Sequence, residues 1–107
     1  MINRETFKLS IIIPCYNEKN TIDIILKKIA KSLKNYQILN YEIIIVDDHS
    51  KDGTTEILKN LNHVEKINVY FHESNLGKGA AIQTALNHIT GDITIIQDAD
   101  LEYDPFD

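Results

Sequence analysis

The feature that most constrains this chain is a regular alternation of short, β-branched apolar runs with longer segments of helical spacing. The runs lie at residues 9–13, 41–46, 68–71 and 92–97, and apolar residues recur every three or four positions between them. Strands separated by helices of this length form right-handed βαβ units with parallel strands. The sequence therefore predicts an α/β domain, a Rossmann-like three-layer sandwich with about four strands, three helices and a mostly parallel sheet.

Local patterns predict where these elements begin and end. Thr21–Leu33 is amphipathic with Asn20 as its N-cap, and Tyr41–Val46 is too continuously apolar for a half-exposed strand. Asp52 and Gly53 open a second helix. A third helix from about residue 79 buries an apolar face and ends in a C′ glycine: Ile82, Ala85, Leu86, Ile89 and Gly91. The polar strand at 68–71 is expected near a sheet edge, and the strand at 92–97 is expected to be buried.

Composition narrows the classes of function. Of 107 residues, 43% are hydrophobic and 25% charged, which is typical of a globular domain with a real core. The net charge of −5 argues against a nucleic-acid partner, which requires clustered Lys and Arg. The single cysteine, Cys15, cannot form an internal disulfide, and no apolar run approaches the roughly 20 residues of a spanning helix. We therefore expect a soluble chain in a reducing, cytoplasmic compartment.

In an open parallel sheet, ligands bind beyond the carboxyl ends of the strands. The four strands lead to Pro14–Glu18, Asp47–Ser50, Gly77–Gly79 and Asp98–Glu102 respectively. Most of the chemically active side chains are thus predicted to meet at one edge. The histidines show no metal-ligand spacing and are expected at surface or structural positions without a catalytic role: His49, His63, His72 and His88.

The turn Asp98-Ala99-Asp100 is the main candidate for a metal site. Two carboxylates in a tight turn can share one cation, and carboxylate and phosphate oxygens are the ligands that Mg²⁺ and Mn²⁺ prefer. Such an ion could bridge a nucleotide diphosphate and stabilise it as a leaving group. The alternative is that both aspartates only cap a turn. We favour the metal because the turn follows a strand end and lies opposite a second acidic pair.

Three other segments suit a nucleotide. One carboxylate of Asp47-Asp48 could accept from uracil or guanine while the other holds a loop or caps a helix. Tyr16 could stack on a base and Glu18 could accept from ribose or base, although a Tyr after a Pro more often packs. Gly77-Lys78-Gly79 opens a helix and suits a phosphate, but small residues there equally allow the helix to pack closely on the sheet.

Four motifs, in this order and spacing, resemble glycosyltransferase family 2 over essentially the whole chain. They are Ser10-Ile11-Ile12-Ile13-Pro14-Cys15-Tyr16-Asn17-Glu18, Ile45-Val46-Asp47-Asp48-His49-Ser50-Lys51-Asp52-Gly53-Thr54, Asn75-Leu76-Gly77-Lys78-Gly79 and Gln97-Asp98-Ala99-Asp100-Leu101-Glu102. The chain looks most like the branch that holds dolichyl-phosphate mannosyltransferase and bacterial polyprenyl-phosphate sugar transferases.

The resemblance implies an inverting transferase with part of the A-type glycosyltransferase fold, a UDP- or GDP-linked sugar as donor, and Mg²⁺ or Mn²⁺. Matched by position, the nucleotide-binding residues are Pro14, Tyr16, Glu18, Val46, Asp48, Lys78, Asp98 and Ala99. Among them, Tyr16 would lie against the base, Asp48 would hydrogen-bond it with the backbone near Val46 closing that wall, and Lys78 would approach the diphosphate. The implied metal ligands are Asp98 and Asp100, with Glu102 as a further candidate.

The chain departs from the family pattern in three places. His49 replaces a Gly or Asn in a turn, and Glu102 replaces a Gln frequent in mannosyltransferases, which leaves the sugar open. The family's acceptor half, and in many members its catalytic base, lie beyond residue 107, so no catalytic residue is assigned here. We expect residues 1–107 to be the N-terminal part of a longer transferase, binding the sugar donor but turning over poorly by itself. Its acceptor could be a polyprenyl phosphate, at the cytoplasmic face of a membrane.

Two other function classes stay open on the sequence alone. A phospho-receiver domain also carries an acidic pair after one strand and a phosphoacceptor Asp after a later one, here Asp47-Asp48 and Asp98. Against it, a complete strand–helix unit precedes the pair and no Lys follows Asp98. A non-catalytic nucleotide-binding module would use the same residues and differ only in the length of the whole protein.

Overall fold

The computed structural model describes residues 7–99, in which strands and helices alternate strictly. The strands are β1 (Leu9–Cys15), β2 (Tyr41–Asp47), β3 (Ile67–Phe71) and β4 (Ile93–Ile96), and the helices are α1 (Ile22–Asn35), α2 (Thr54–Leu61) and α3 (Lys78–Leu86). The strands form one sheet in the order β3-β2-β1-β4, and each of these pairings is parallel. The predicted Rossmann-like α/β fold is therefore confirmed.

The alternating side chains of the strands divide the core into two layers. Ile11 and Ile13 pack in one cluster with Ile25 of α1 and Leu58 of α2, whereas Ile12 packs on the opposite side, beneath α3. Each fully buried Leu or Ile side chain stabilises the fold by about 1.5–3 kcal/mol. The layer under α1 and α2 has more of these side chains, so it contributes most of this stabilisation. Within residues 7–99, no helix has the length and apolar character needed to cross a bilayer.

Helix α1 begins one residue later than predicted. Thr21 rather than Asn20 occupies the N-cap position, and no side chain caps the helix. The Thr21 hydroxyl instead lies 2.7 Å from Glu18 Oε2 and 2.9 Å from the carbonyl oxygen of Ala99. This hydroxyl therefore ties the start of α1 to the carboxyl edge of the sheet and does not accept a hydrogen bond from the first backbone N–H groups of the helix.

Helix α3 ends earlier than predicted, at Leu86, so Gly91 does not terminate it. Its buried face consists of Ala81 and Ala85, whereas Leu86 is exposed and Ile82 is only half-buried. The predicted end of the helix and the burial of Leu86 were wrong, whereas Ala85 is buried as predicted and small residues bring this helix onto the sheet.

Strand β4 is half-exposed, contrary to the prediction that it is buried. Ile93 and Ile96 are 42% and 49% exposed. The physical reason is that β4 pairs only with β1 within the described part of the chain. Strand β3 lies at the opposite edge, as its polar composition predicts.

Candidate functional site

A cavity of about 380 Å³ opens at the carboxyl edge of the sheet. Its lining comes from the segments that follow the strands, and from α3: Pro14, Cys15, Tyr16, Glu18, Asp48, Asn75, Gly77, Lys78, Ala81, Asp98 and Ala99. The volume falls within the range of about 300–1,000 Å³ that is typical of small-molecule sites. The structure thus brings together every described residue that we assigned to the nucleotide, with one exception.

Val46 is that exception. Its side chain is fully buried in the cluster beneath α3, with Ala81 and Ala85, so it supports the sheet behind the cavity and does not line it. The other two candidate metal ligands, Asp100 and Glu102, lie outside the described residues.

Pro14 ends the pairing of β1 with β4. The backbone N–H of Gln97 donates to the carbonyl oxygen of Ile12 at 2.8 Å. Pro14, the next residue of β1 on this side, has no N–H with which to continue the ladder. Pro14 and Ala99 both line the cavity, which therefore opens where the two strands part.

Hydrogen bonds tie the loop after β1 to the loop after β2. Asn17 donates its N–H to Ser50 Oγ at 2.9 Å and accepts the N–H of Lys51 at 2.8 Å through its side-chain oxygen. The N–H of Glu18 donates to Thr54 Oγ1 at 3.0 Å. Asn17 itself has a φ of 53°, a left-handed conformation that Asn tolerates better than most residues. These bonds fix one wall of the cavity against the start of α2.

The acidic pair divides into a structural residue and a residue of the cavity. Asp47 accepts the N–H and the hydroxyl of Ser50 through Oδ1, at 3.1 and 2.6 Å, and the hydroxyl of Thr55 through Oδ2. It therefore holds the loop to α2, while Asp48 lines the cavity. His49 follows them with a φ of 63°. This left-handed turn explains why Gly or Asn suits the position.

The carboxylate of Asp48 accepts three hydrogen bonds, and the residue is only 3% exposed. Its Oδ1 accepts from the Leu76 N–H and from His72 Nδ1, each at 2.8 Å, and its Oδ2 accepts from the Gly77 N–H at 2.8 Å. Burial acts to raise the pKa of this carboxyl, but the hydrogen bonds outweigh burial and bring the pKa below its ordinary value. Asp48 is therefore an ionised acceptor at neutral pH.

Lys78 and Asp98 place opposite charges on two walls of the cavity. The Lys78 ammonium, at the start of α3, forms an ion pair with Oδ1 of Asp98, just after β4. These side chains are 59% and 29% exposed, and a pair this open contributes little to stability. Its importance is positional, because a cation and a carboxylate meet where a diphosphate with its metal is expected.

The donor chemistry of this region fits a divalent cation in part. Asp98 supplies a carboxylate and already pairs with one positive charge. Among residues 7–99, no three His, Cys, Asp or Glu side chains form a group that could hold a metal ion. Mg²⁺ is usually bound by one or two carboxylates together with substrate phosphates, and Asp98 would supply one such carboxylate.

Three polar residues at the site were not assigned to it from the sequence. The side chain of His72 is 8% exposed and bridges two groups, with Nδ1 on Asp48 and Nε2 2.8 Å from Thr84 Oγ1. Asn75 lines the cavity, and Thr21 holds the carbonyl of Ala99. The available signal for His72 was its position directly after β3, at the edge where ligands bind.

Cys15 behaves as a packing residue. It is 2% exposed within the core cluster, and burial, with a further contribution from the charge of Asp47, raises the pKa of its thiol. A thiol without appreciable thiolate is a poor nucleophile. Cys15 is therefore a buried packing residue at the end of β1.

Comparison with known proteins yields matches over nearly the whole chain. The family described as glycosyl transferase family 2 matches residues 10–106. Dolichol-phosphate mannosyltransferase from Pyrococcus furiosus is 34% identical over 98 residues, which cover 92% of this chain and 27% of that protein.

Solved structures show the same fold. The mannosyltransferase PcManGT from Pyrobaculum calidifontis, in complex with GDP-Man and Mn²⁺, is 30% identical with a TM-score of 0.74, covering 89% of this chain and 28% of its own. TarS 1–349 from S. aureus, in complex with UDP, is 30% identical with a TM-score of 0.73, covering 88% of this chain and 28% of its own. This chain thus spans less than a third of the length of these three proteins.

Proposed function

Because this chain belongs to glycosyl transferase family 2, as the match over residues 10–106 shows, we propose that it is the donor-binding part of an enzyme that transfers a sugar from a nucleoside-diphosphate sugar. The observation that carries this proposal is that Tyr16, Asp48, Lys78 and Asp98 line one cavity. An aromatic face, a buried acceptor, a cation and a carboxylate complement a base, a diphosphate and its metal. Because the chain belongs to this family, the alternative of a phospho-receiver domain is rejected.

The base and ribose occupy the side of the cavity between β1 and β2. Asp48 accepts an N–H of the base, and Tyr16, 41% exposed, offers its ring as a stacking surface. Asn75 adds an amide that can donate to a base carbonyl. Glu18, held in place by its backbone bond to Thr54, accepts from a ribose hydroxyl.

The diphosphate and the metal occupy the side between α3 and the end of β4. Lys78 would bind the diphosphate, and Asp98, with Asp100 and with Glu102 as a further candidate ligand, would hold Mg²⁺ or Mn²⁺. A divalent ion held there would supply positive charge against the charge that develops on the departing diphosphate. The Mn²⁺ complex of the Pyrobaculum calidifontis enzyme supports this use of a divalent ion.

The acceptor attacks the anomeric carbon on the face opposite the departing nucleoside diphosphate, and the configuration at that carbon is inverted. We propose a lipid phosphate as acceptor, supported by the name of the Pyrococcus furiosus relative. Such an acceptor is already an anionic nucleophile, so the reaction has little need of a strong base. It also places the whole enzyme at a membrane surface, on the cytoplasmic face.

Titration calorimetry with UDP and with GDP, in the presence and absence of Mn²⁺, tests the proposal. We expect metal-dependent binding of at least one nucleotide, weakened about tenfold or more both in Asp98→Asn and in Lys78→Met, because each change removes a charged contact. Lys59→Met, an exposed lysine of α2, is the matched control and should bind as wild type. A nucleotide affinity that changes neither on removal of Mn²⁺ nor in Asp98→Asn contradicts the metal assignment. No binding of either nucleotide contradicts the function.

A further inference from the structure

Building on this proposed function, we propose that His72 makes the cavity selective for uracil over guanine by occupying one of the two carboxylate oxygens of Asp48. The proposed function leaves the base open, since an aspartate can recognise either. The hydrogen bonds already made to Asp48 distinguish the two bases.

The carboxylate of Asp48 has unequal oxygens. Each oxygen has two lone pairs, and the two of Oδ1 are taken by His72 Nδ1 and by the Leu76 N–H, each at 2.8 Å. Oδ2 accepts only the Gly77 N–H among the described residues, at 2.8 Å. Asp48 lines the cavity, and we infer that the acceptor position left on Oδ2 is the one that a ligand meets.

The two bases present different numbers of donors to such a carboxylate. Uracil has a single imide N–H on its pairing edge, which one acceptor position satisfies. Guanine has an imino N–H beside an amino N–H, and a carboxylate satisfies both only when both of its oxygens accept. With Oδ1 filled, one guanine donor is left unpaired in a buried wall. Such a loss corresponds to roughly a tenfold to hundredfold weaker affinity.

His72 is built to keep Oδ1 filled. A carboxylate can only accept hydrogen bonds, so Nδ1 must carry a proton. Nε2 lies 2.8 Å from the Thr84 hydroxyl of α3, which fixes the ring plane, and only 8% of the side chain is exposed. His72 is therefore a positioning residue that acts on the base through Asp48.

Two conservative variants of His72 separate its two nitrogens. Asn places its amide nitrogen close to the position of Nδ1, so His72→Asn keeps the donor to Asp48 and loses the contact with Thr84. Gln places its amide close to the position of Nε2, so His72→Gln keeps the contact with Thr84 and releases Oδ1. Thr84→Val is the control for a merely structural role, since it removes the partner of Nε2 and leaves the Asp48 bond in place.

The measurement is titration of the protein with UDP and GDP in excess Mg²⁺. We expect wild type, His72→Asn and Thr84→Val to prefer UDP by about tenfold or more, and His72→Gln to lose most of that preference through a gain in GDP affinity. Equal or tighter binding of GDP by wild type overturns the inference while the proposed function stands, and this result needs no variant. An unchanged ratio in folded His72→Gln also overturns it. If neither nucleotide binds wild type, the proposed function fails and the inference fails with it.

Discussion

Replacing Asp48 by Asn, with Asp47→Asn as the matched control, tests whether the acidic pair has divided roles. The two aspartates are adjacent and only 3% and 1% exposed. Each side-chain carboxylate accepts three hydrogen bonds from the described residues. The same chemical change at both positions therefore removes the same charge from equally buried sites, and any difference in outcome reflects the partners.

The cost at Asp48 follows from the donors around it. If the amide oxygen of Asn takes the place of Oδ1, it keeps His72 and Leu76 as partners, and the amide NH₂ then faces the Gly77 N–H, which also donates. An unsatisfied buried N–H costs about 1–3 kcal/mol, and two bonds fall from charged to neutral acceptors at about 0.5–1 kcal/mol each. We therefore expect a loss of about 3 kcal/mol, or roughly 15 °C in Tm.

The cost at Asp47 is smaller because one of its partners can reverse its role. The amide oxygen keeps both bonds from Ser50, and the NH₂ group faces the Thr55 hydroxyl, which accepts as well as donates. Thr55 can then give its own proton to the Ser50 carbonyl, 3.3 Å away. None of the donors already present loses its acceptor, so Asp47→Asn should cost about 1 kcal/mol.

Urea denaturation and UDP titration measure the two effects. We expect Asp48→Asn to weaken UDP binding by about tenfold or more, because the acceptor on Oδ2 becomes a donor, and Asp47→Asn to bind within about twofold of wild type. Because the folded-state pKa of Asp48 lies below its unfolded value, its stabilisation is present above about pH 4 and is lost as the pH falls through the folded pKa. Equal destabilisation by the two variants, or wild-type UDP affinity in Asp48→Asn, refutes this reasoning.

Three further predictions concern the scaffold. Gly91→Ala should destabilise the fold by about 2 kcal/mol or more, because the added Cβ would lie 2.8 Å from the backbone of β1. At Gly79 an added Cβ has no atom within 4 Å, so Gly79→Ala should stabilise the fold by up to about 1 kcal/mol through helix propensity. Equal urea midpoints for the two variants contradict this. Cys15 should react with a thiol reagent only in denaturant, since burial raises its pKa, and fast labelling of the native chain contradicts this. Hydrogen bonds outweigh the effect of burial and lower the pKa of Glu42, so its stabilisation should be lost as the pH falls below about 4. Stability curves of wild type and Glu42→Gln that stay parallel from pH 6 to about pH 3 contradict this.

The sheet could be predicted because its signals are local. The run Ile43–Val46 is apolar on both faces, which only a strand covered on both sides requires, and it is fully or nearly fully buried. The errors fall where tertiary contacts decide. Gly91 has the sequence context of a helix cap, but it is needed because Ser10 and the backbone of Lys8 pass too close for a Cβ. Nothing in the local sequence reports that approach.

The sequence allowed us to predict which strand ends bring residues to the site, but not the contacts that each residue makes there. Parallel topology alone brings Tyr16, Lys78 and Asp98 to one edge, so the residues could be proposed from their positions in the sequence. The division of labour between Asp47 and Asp48 could not. The partners of Asp47 lie 3 and 8 residues away, whereas those of Asp48 lie 24, 28 and 29 residues away, which only the fold brings near.

The two sides of the cavity differ in how far their side chains are held in place before a ligand binds. The side proposed for the base is preorganised, since Asp48 and His72 make their hydrogen bonds within a buried network, and such groups bind without an ordering cost. The side proposed for the phosphates carries an open ion pair between Lys78 and Asp98, which a ligand can rearrange.

Because His72 and Asp98 share no hydrogen-bond partner among the described residues, their substitutions should act independently on affinity. We therefore expect the gain in GDP affinity caused by His72→Gln and the loss caused by Asp98→Asn to multiply, within about twofold, in the double variant. GDP titration of the four proteins measures this. A coupling much larger than twofold would mean that the phosphate side also sets the position of Asp48, and the base wall would then not be preorganised.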